Sequence, residues 1–320
     1  MDLNTGKTIA LVGSAIVDCM IMGFDPKPVS AAGFVAESVS LKPGGEAVNQ
    51  AVTLAKLGLR PRAVCFLGND DASRILSGEL EKYHVDLSYV VRPEGQRTPV
   101  TVMFVDEDGD RKSITNHTHW YNFHPEADMR WMDGCSAISL CSLFRTPFND
   151  PEVVFQVVSE AKRRGLRVYA DTKLPNANKL SLEDLRDSLP LIDVITPNES
   201  EAAYYSGKND PEDMADGFLR FGVKTVIVKL GGNGCLLKNA EETIRLPGLP
   251  VNAIDATGAG DNFGAGFLTM KEEGLSDEEA LRFANACGAI ASTKVGATAG
   301  IESRGQVLDF LYSFTAQSRT

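Results

Sequence analysis

The 320-residue chain predicts an α/β fold: a mostly parallel central sheet covered by helices on both faces, with a small β-sheet beside it. Three observations carry this. Short β-rich apolar runs alternate with helical patterns along most of the chain, the arrangement that builds a parallel sheet buried on both sides. Two segments, 15–42 and 98–119, break the alternation. They are β-prone and carry turn signals such as Asp106-Glu107-Asp108-Gly109-Asp110, so they fit extra strands standing off the main sheet. Finally, no composition shift, low-complexity linker or internal repeat divides the chain. Residues 1–320 are therefore expected to form a single domain, with 15–42 and 98–119 as its lid.

In chain order, strands are expected at 8–13, 63–67, 137–141, 167–170, 192–195 and 225–229. Helices are expected at 46–57, 72–83, 151–164, 181–188, 199–205, 212–221, 261–272, 277–292 and 304–314. Ligands of such sheets bind at the carboxyl ends of the strands.

The chain is 43% hydrophobic and 23% charged, enough for a sizeable core. A net charge of -11 argues against nucleic acid and anionic membranes as partners. It leaves phosphate substrates open, because local amides and a metal ion bind those. No run of eighteen apolar residues occurs, and 1–7 leads straight into a strand, so neither a membrane span nor a signal peptide is expected. Six cysteines without Cys-x-x-Cys pairs read as reduced, mostly buried thiols of a cytoplasmic protein.

The most informative stretch is Asp255-Ala256-Thr257-Gly258-Ala259-Gly260-Asp261, followed by an Ala/Gly-rich apolar run. Small residues opening a helix expose free amides at its positive end, a ready anion site. Asp261 sits inside that site. A carboxylate beside bound phosphate makes sense if it accepts a proton from a hydroxyl that attacks phosphorus. The plain alternative is an Asp that caps its helix. A second motif, Pro43-Gly44-Gly45-Glu46-Ala47-Val48-Asn49-Gln50-Ala51, pairs glycines with a helix start and places Asn49 one turn in, able to bond hydroxyls.

Together, Gly44-Gly45-x-x-x-Asn49-x-Ala51 and Asp255-x-x-Gly258-x-Gly260-Asp261 resemble the ribokinase (PfkB) family of sugar kinases. The intermediate motifs agree in order: Asp18 after the first strand, Thr196-Pro197-Asn198-Glu199-Ser200-Glu201, Lys229-Leu230-Gly231-Gly232-Asn233-Gly234, Ala284-Asn285-Ala286 and Val295-Gly296-Ala297. The resemblance spans about 8–303. It implies a ribokinase-like three-layer α/β/α sandwich with a β lid, acting as a homodimer through that lid. It makes Asp261 the general base and Gly258, Ala259 and Gly260 the anion hole. Asp18, Gly44, Gly45 and Asn49 become the sugar contacts. ATP is assigned to Asn198, Lys229, Gly231, Gly232, Gly234 and Asn285, with Asn285 near adenine. Asn198 and Glu201 hold Mg²⁺, largely through water. Asp255 and Thr257, with carbonyls of Ala291, Lys294, Gly296 and Gly300, take a monovalent cation, K⁺.

The chain departs from ribokinase itself. Ile16 replaces a sugar-contacting Asn, Glu46 replaces the Lys after the glycine pair, Ala256 replaces a Thr, and no Glu stands near 140–144. The fructokinase pattern Asp-x-Asn-x-Arg is broken in Asp171-Thr172-Lys173-Leu174-Pro175-Asn176, where Lys173 is the candidate replacement for the missing charge. The expected activity is ATP-dependent phosphorylation of a small sugar such as ribose, fructose or a related furanose or keto-sugar. A nucleoside kinase of the same family and an inactive sugar-binding regulator are the alternatives. His117, His119 and His124 invite a metal reading but are better taken as lid or loop residues. Trp120, Tyr121 and Phe123 could stack on a sugar or fill the lid's core. Pro-x-Pro at 26–28 reads as a turn.

Overall fold

The computed structural model describes residues 6–23, 36–105, 111–116, 123–175 and 179–317. Its elements are β1 (Thr8–Val12), β2 (Ile16–Met22), β3 (Ser38–Gly44), α1 (Glu46–Lys56), β4 (Arg60–Val64), α2 (Asp71–Lys82), β5 (Val100–Val105), β6 (Arg111–Thr115), β7 (Cys135–Leu143) and α3 (Pro151–Arg163). They continue with β8 (Arg167–Thr172), β9 (Val194–Ile195), α4 (Glu199–Ser206), α5 (Pro211–Leu219), β10 (Thr225–Lys229), β11 (Cys235–Asn239), β12 (Thr243–Leu246), α6 (Ala259–Glu272), α7 (Asp277–Ala291) and α8 (Arg304–Gln317).

Eight strands form one sheet in the order β12-β11-β10-β9-β8-β7-β1-β4. Neighbours from β4 to β10 run parallel, and β10, β11 and β12 pair antiparallel at the far edge. Successive strand side chains point to opposite faces. Ile9 and Leu11 therefore enter one core and Ala10 and Val12 the other, all fully buried. The first core is closed by α1, α2, α6, α7 and α8, the second by α3, α4 and α5. This makes three layers. Each buried Leu, Ile or Phe contributes about 1.5–3 kcal/mol by leaving water. The strand ends that carry the polar groups below thus rest on two packed cores.

The four strands β3-β2-β5-β6 form a second, separate sheet. β2 pairs antiparallel with β3 and parallel with β5, and β5 antiparallel with β6. Val39 and Leu41 of β3 and Ile114 of β6 stay exposed, at 65%, 54% and 66%.

Three expectations are corrected. The helix at 181–188 is instead two 3-10 turns, Glu183–Leu185 and Leu189–Leu191. Pro190 lacks the amide that would bond Arg186 O in one continuous helix and is tolerated instead in the first turn of the second. The strand at 63–67 lies earlier, in β4, whose Pro61 is tolerated because β4 is an edge strand. Helix α6 begins at Ala259 rather than at Asp261.

Candidate active site

The carboxyl ends of β8, β9 and β10 deliver Asp171, Thr196 and Lys229 to one bonded group, and Lys229 reaches the amino end of α6 at Gly260. The Cap of α6 is Gly258, with φ 74° and no side-chain cap bond. A Cβ at Gly258 would sit 2.6 Å from both the Cβ and the carbonyl oxygen of Ala297, so only glycine fits the turn. The Ala259 amide donates to Ala256 O at 3.2 Å and so belongs to the turn itself. The amides of Gly260 and Asp261 fall among the first-turn groups that have no acceptor within the helix. They face the same end as the Lys229 ammonium, which lies 3.1 Å from where a Gly260 Cβ would stand.

Asp261 does not cap the helix. It is buried in the first turn, and its Oδ2 accepts a 2.7 Å bond from Asn49 Nδ2 of α1. Burial pushes the Asp261 carboxyl up to about 7; Lys173 opposes the shift, and Glu46 and Asp171 add to it. Asn49 is itself buried, and its Oδ1 has no hydrogen-bond partner. A buried acceptor left bare costs about 1–3 kcal/mol unless a ligand donor satisfies it. Asp18 of β2 lies across from these groups. Burial, then Glu46 and Asp255, raise its carboxyl to about 6. Its Oδ2 lies directly against Gly44, where a Cβ would collide with it. Gly45, at φ 90°, lets α1 start within 2.6 Å of Ser14 O, measured from a built Cβ. Asp18 thus lies against Gly44, and Asn49, four residues beyond Gly45 on α1, is bonded to Asp261.

A second layer of charge lies beside these groups. Glu46, the first residue of α1, accepts from the Ser14 hydroxyl and pairs with Lys173 Nζ at 3.1 Å. Against burial, Lys173, the Ser14 hydroxyl and a backbone amide hold the Glu46 carboxyl down to about 2. Glu46 in turn keeps Lys173 protonated against burial, helped by Asp261, Asp171 and Glu201. Asp171, at the end of β8, takes Lys229 Nζ at 2.7 Å and Thr196 Oγ1 at 3.1 Å.

Asn198 and Glu201 form a reciprocal cap of α4: Glu201 N donates to Asn198 Oδ1 and Asn198 N to Glu201 Oε2, both at 2.9 Å. Thr172 Oγ1 donates to the same Glu201 oxygen at 2.8 Å. Glu201 is buried, and burial followed by Asp171 raises its carboxyl despite Lys229. Among the described residues, no three His, Cys, Asp or Glu are placed to ligate a metal directly. The donor set suits an ion that keeps its water and takes most of its ligands from phosphate.

On the other side of the α6 amino end lies a cavity of about 380 Å³, lined by Lys229, Gly231, Gly232, Gly234, Gly260 and Asn285 among others. Its floor is a 3-10 turn, Gly231–Asn233, joining β10 to β11. A Cβ on Gly232 would meet nothing within 4 Å, whereas one on Gly234 would collide with Leu246 O. Asn285 Nδ2 donates to Pro247 O at 2.8 Å, fixing the cavity's rim.

Behind the turn, Asp255 Oδ1 accepts Thr257 N at 2.9 Å and Thr257 Oγ1 at 2.6 Å, and its Oδ2 accepts Gly296 N at 2.9 Å. Gly300 packs against Ala291, 2.6 Å from its Cα by a built Cβ. Asp255, Thr257, Ala291, Gly296 and Gly300 are therefore gathered at one place. The Lys294 side chain turns away to Glu302, at 2.6 Å.

Sequence reasoning missed Asn262, Thr53 and Asp171 as site residues. Asn262 is fully buried; its Nδ2 donates to Gly258 O and Ala297 O, each at 2.7 Å, and its Oδ1 accepts Thr53 Oγ1 at 2.8 Å. It joins the α6 turn to α1 and to the Ala297 loop. The available signal was a polar residue inside an otherwise apolar helix start. Phe123 packs into the second main core rather than within the small sheet. His124 is exposed and pairs with Glu126 at 3.0 Å. His117, His119, Trp120, Tyr121, Asn176, the 26–28 turn and the 106–110 turn lie outside the described residues.

Comparison with known proteins identifies the family. The family model described as pfkB family carbohydrate kinase matches residues 7–304. The chain is similar to a ribokinase of Haemophilus influenzae, 29% identical over 314 residues, 95% of this chain and 98% of the relative. It is also similar to a probable fructokinase-7 of Arabidopsis thaliana, 29% identical over 304 residues, 87% of each. A solved Arabidopsis thaliana ribokinase complexed with ribose and ATP shares the fold with a TM-score of 0.80 at 26% identity, covering 95% of this chain and 98% of that one. The ribokinase-like sheet, the glycine-opened α6 and the family match over nearly the whole chain place this protein in the pfkB family of carbohydrate kinases, phosphotransferases with an alcohol group as acceptor.

Proposed function

We propose that the chain transfers the γ-phosphoryl group of ATP to a hydroxyl of a small sugar of the ribose or fructose kind. The observation that carries this reading is the Asn49–Asp261 pair. Asn49 orients the carboxylate through Nδ2 and leaves its buried Oδ1 bare beside it. A hydroxyl donor answers that orphan acceptor, and Asp261, raised to about 7, is suited to accept the reacting proton near neutral pH. Asp18, Gly44 and Gly45 line the acceptor side, and the Gly231–Gly234 loop with Lys229 and Asn285 lines the nucleotide side. The Gly258–Gly260 turn between them is the anion hole, with the Gly260 and Asp261 amides free to face phosphate.

Mg²⁺ is assigned to Glu201 and Asn198 through water, where it would neutralise phosphate charge. K⁺ is assigned to the cluster of Asp255, Thr257, Ala291, Lys294, Gly296 and Gly300, the last four through carbonyls. We read the small sheet as a lid over the acceptor and its exposed Val39, Leu41 and Ile114 as the contact of a homodimer. Six unpaired cysteines favour a cytoplasmic setting, and no described helix is long and apolar enough to cross a membrane. The test is ATP turnover with Mg²⁺ over a panel of pentoses, hexoses, sugar acids, sugar phosphates, inositols and nucleosides. A furanose or keto-sugar should give the highest kcat/KM. Turnover confined to nucleosides would replace the sugar reading, and none with any acceptor would end it.

A further inference from the structure

The two lysines at the α6 amino end are not equivalent. Lys229 is bound to Asp171 and lies on the nucleotide side, against Gly260. Lys173 lies on the acceptor side. Its partner Glu46 and the base-orienting Asn49 are three residues apart on α1, so both project from one face of that helix. Asn49 touches Asp261 and Glu46 touches Lys173. The ammonium and the Asp261 carboxylate are thus both held by that face of α1, through Glu46 and Asn49.

We infer that Lys173, resting on Glu46, is the cation that meets the phosphoryl group as it passes to the acceptor, a catalytic role supplied in this chain from the end of β8. The inference rests on the kinase reading above and gives a role to Lys173, which the sequence offered only as a replacement charge in the broken 171–176 pattern.

The backbone there is fixed as such a role requires. Lys173 N donates to Leu143 O at 3.0 Å, and Lys173 O accepts the Tyr205 hydroxyl at 2.6 Å. Arg145 Nε donates to the next carbonyl, Leu174 O, at 2.8 Å. Tyr205 is itself stacked on Phe144, with ring centroids 3.9 Å apart. The side chain stays 29% exposed, open to a ligand. Glu46 also accepts the Ser14 hydroxyl, which keeps its carboxylate in place beside Lys173. Glu46, Asp171, Glu201 and Asp261 otherwise make this end of the sheet strongly acidic, and a phosphoryl group entering it needs a cation on the acceptor side. In the step, the acceptor oxygen bonds to the γ-phosphorus while its proton passes to Asp261. The bond from phosphorus to the β,γ-bridging oxygen breaks, and its electron pair leaves with ADP. Lys173 keeps its proton throughout and supplies charge alone.

The test compares wild type with Lys173→Gln, Lys173→Arg, Glu46→Gln and the Glu46→Gln/Lys173→Gln pair, which removes both charges and keeps the protein folded if the single change does not. Two readouts are used: binding of Mg·ADP with and without aluminium fluoride, a phosphoryl mimic, and kcat with the best acceptor of the panel. Lys173→Gln and the double variant should bind Mg·ADP as wild type does and lose at least tenfold of the tightening that fluoride brings. Their kcat should fall roughly 10²-fold with KM for ATP little changed, as for loss of a group that acts in the transition state. Lys173→Arg should recover part of both, and Glu46→Gln should cost far less than Lys173→Gln. Equal losses from Glu46→Gln and Lys173→Gln, or an intact fluoride effect in Lys173→Gln, overturn the inference and leave the kinase reading standing. A wild type with neither fluoride tightening nor turnover overturns the reading itself and the inference with it.

Discussion

The two sides of the α6 amino end are built differently. On the nucleotide side the polar groups are already paired: Lys229 with Asp171, Asp171 with Thr196, Asn285 with Pro247 O. On the acceptor side Asn49 Oδ1 is bare, and Asp18 and Asp261 are held at about 6 and about 7. A side with its bonds made is shaped before its ligand arrives. A side with a bare acceptor and two raised carboxyls carries a cost that a polyhydroxyl ligand relieves. On the proposed reading, chemistry falls to the acceptor side and anchoring to the nucleotide side.

The largest effect should come from the residue where the two sides meet. Asp261→Asn keeps the partner of Asn49 and removes the base, so kcat should fall roughly 10²–10⁴-fold with nucleotide binding nearly intact. Most of the wild-type turnover surviving in that variant would erase the contrast. Next, Asp18→Ala should raise the acceptor KM about tenfold or more while KM for ATP hardly moves, as expected of a contact worth ~1.5–3 kcal/mol made to one ligand only. Loss of ATP binding instead would place Asp18 on the wrong side. The mirror experiment is milder. Asn285→Ala frees Pro247 O and should raise KM for ATP several-fold, about 1 kcal/mol, with the acceptor KM unchanged. Steady-state kinetics with each substrate varied in turn would expose a mixed effect.

The smallest effect is thermal. A carboxyl raised in the fold stabilises it fully below its unfolded value, and that contribution disappears as pH rises through the folded value. For Asp261 the window runs from 3.8 to about 7, and for Asp18 from 3.8 to about 6. Asp261→Asn should therefore raise Tm by a few degrees at pH 8 and by less at pH 5, about what 1 kcal/mol gives a chain of this size. A stabilisation larger at pH 5 would reverse the sign and contradict the burial of a charged Asp261.

The parallel sheet was legible because strands buried on both faces are short apolar runs: β1, at Thr8–Val12, and β10, at Thr225–Lys229, follow the pattern closely. The helices α1 and α3 were legible from amphipathic spacing. What local pattern could not reveal was set by tertiary context. The 181–188 segment has the residues of a helix but forms only a 3-10 turn, and Pro190 two residues on opens a second one. Gly258, Gly260 and Asp261 stand out because an anion site needs small residues and an acid at fixed spacing. Asn262 and Asp171 do not, since an Asn or Asp gains its role only from Thr53, Ala297, Lys229 and Thr196, which are distant in sequence. Lys173 was visible as a charge out of place, but its partner Glu46 lies 127 positions away and only the fold joins them.

The central claim is that Asp261 is the base, unprotonated when it works. The most direct measurement is the pH dependence of kcat/KM for the acceptor, with saturating Mg·ATP, in wild type and Asp261→Asn. Asp261 is held at about 7. The wild-type value should therefore be flat above that pH and fall tenfold per unit below it, while the residual activity of Asp261→Asn lacks this limb. A wild-type profile flat from pH 5.5 to 8.5, or the same acid limb in Asp261→Asn, would contradict it.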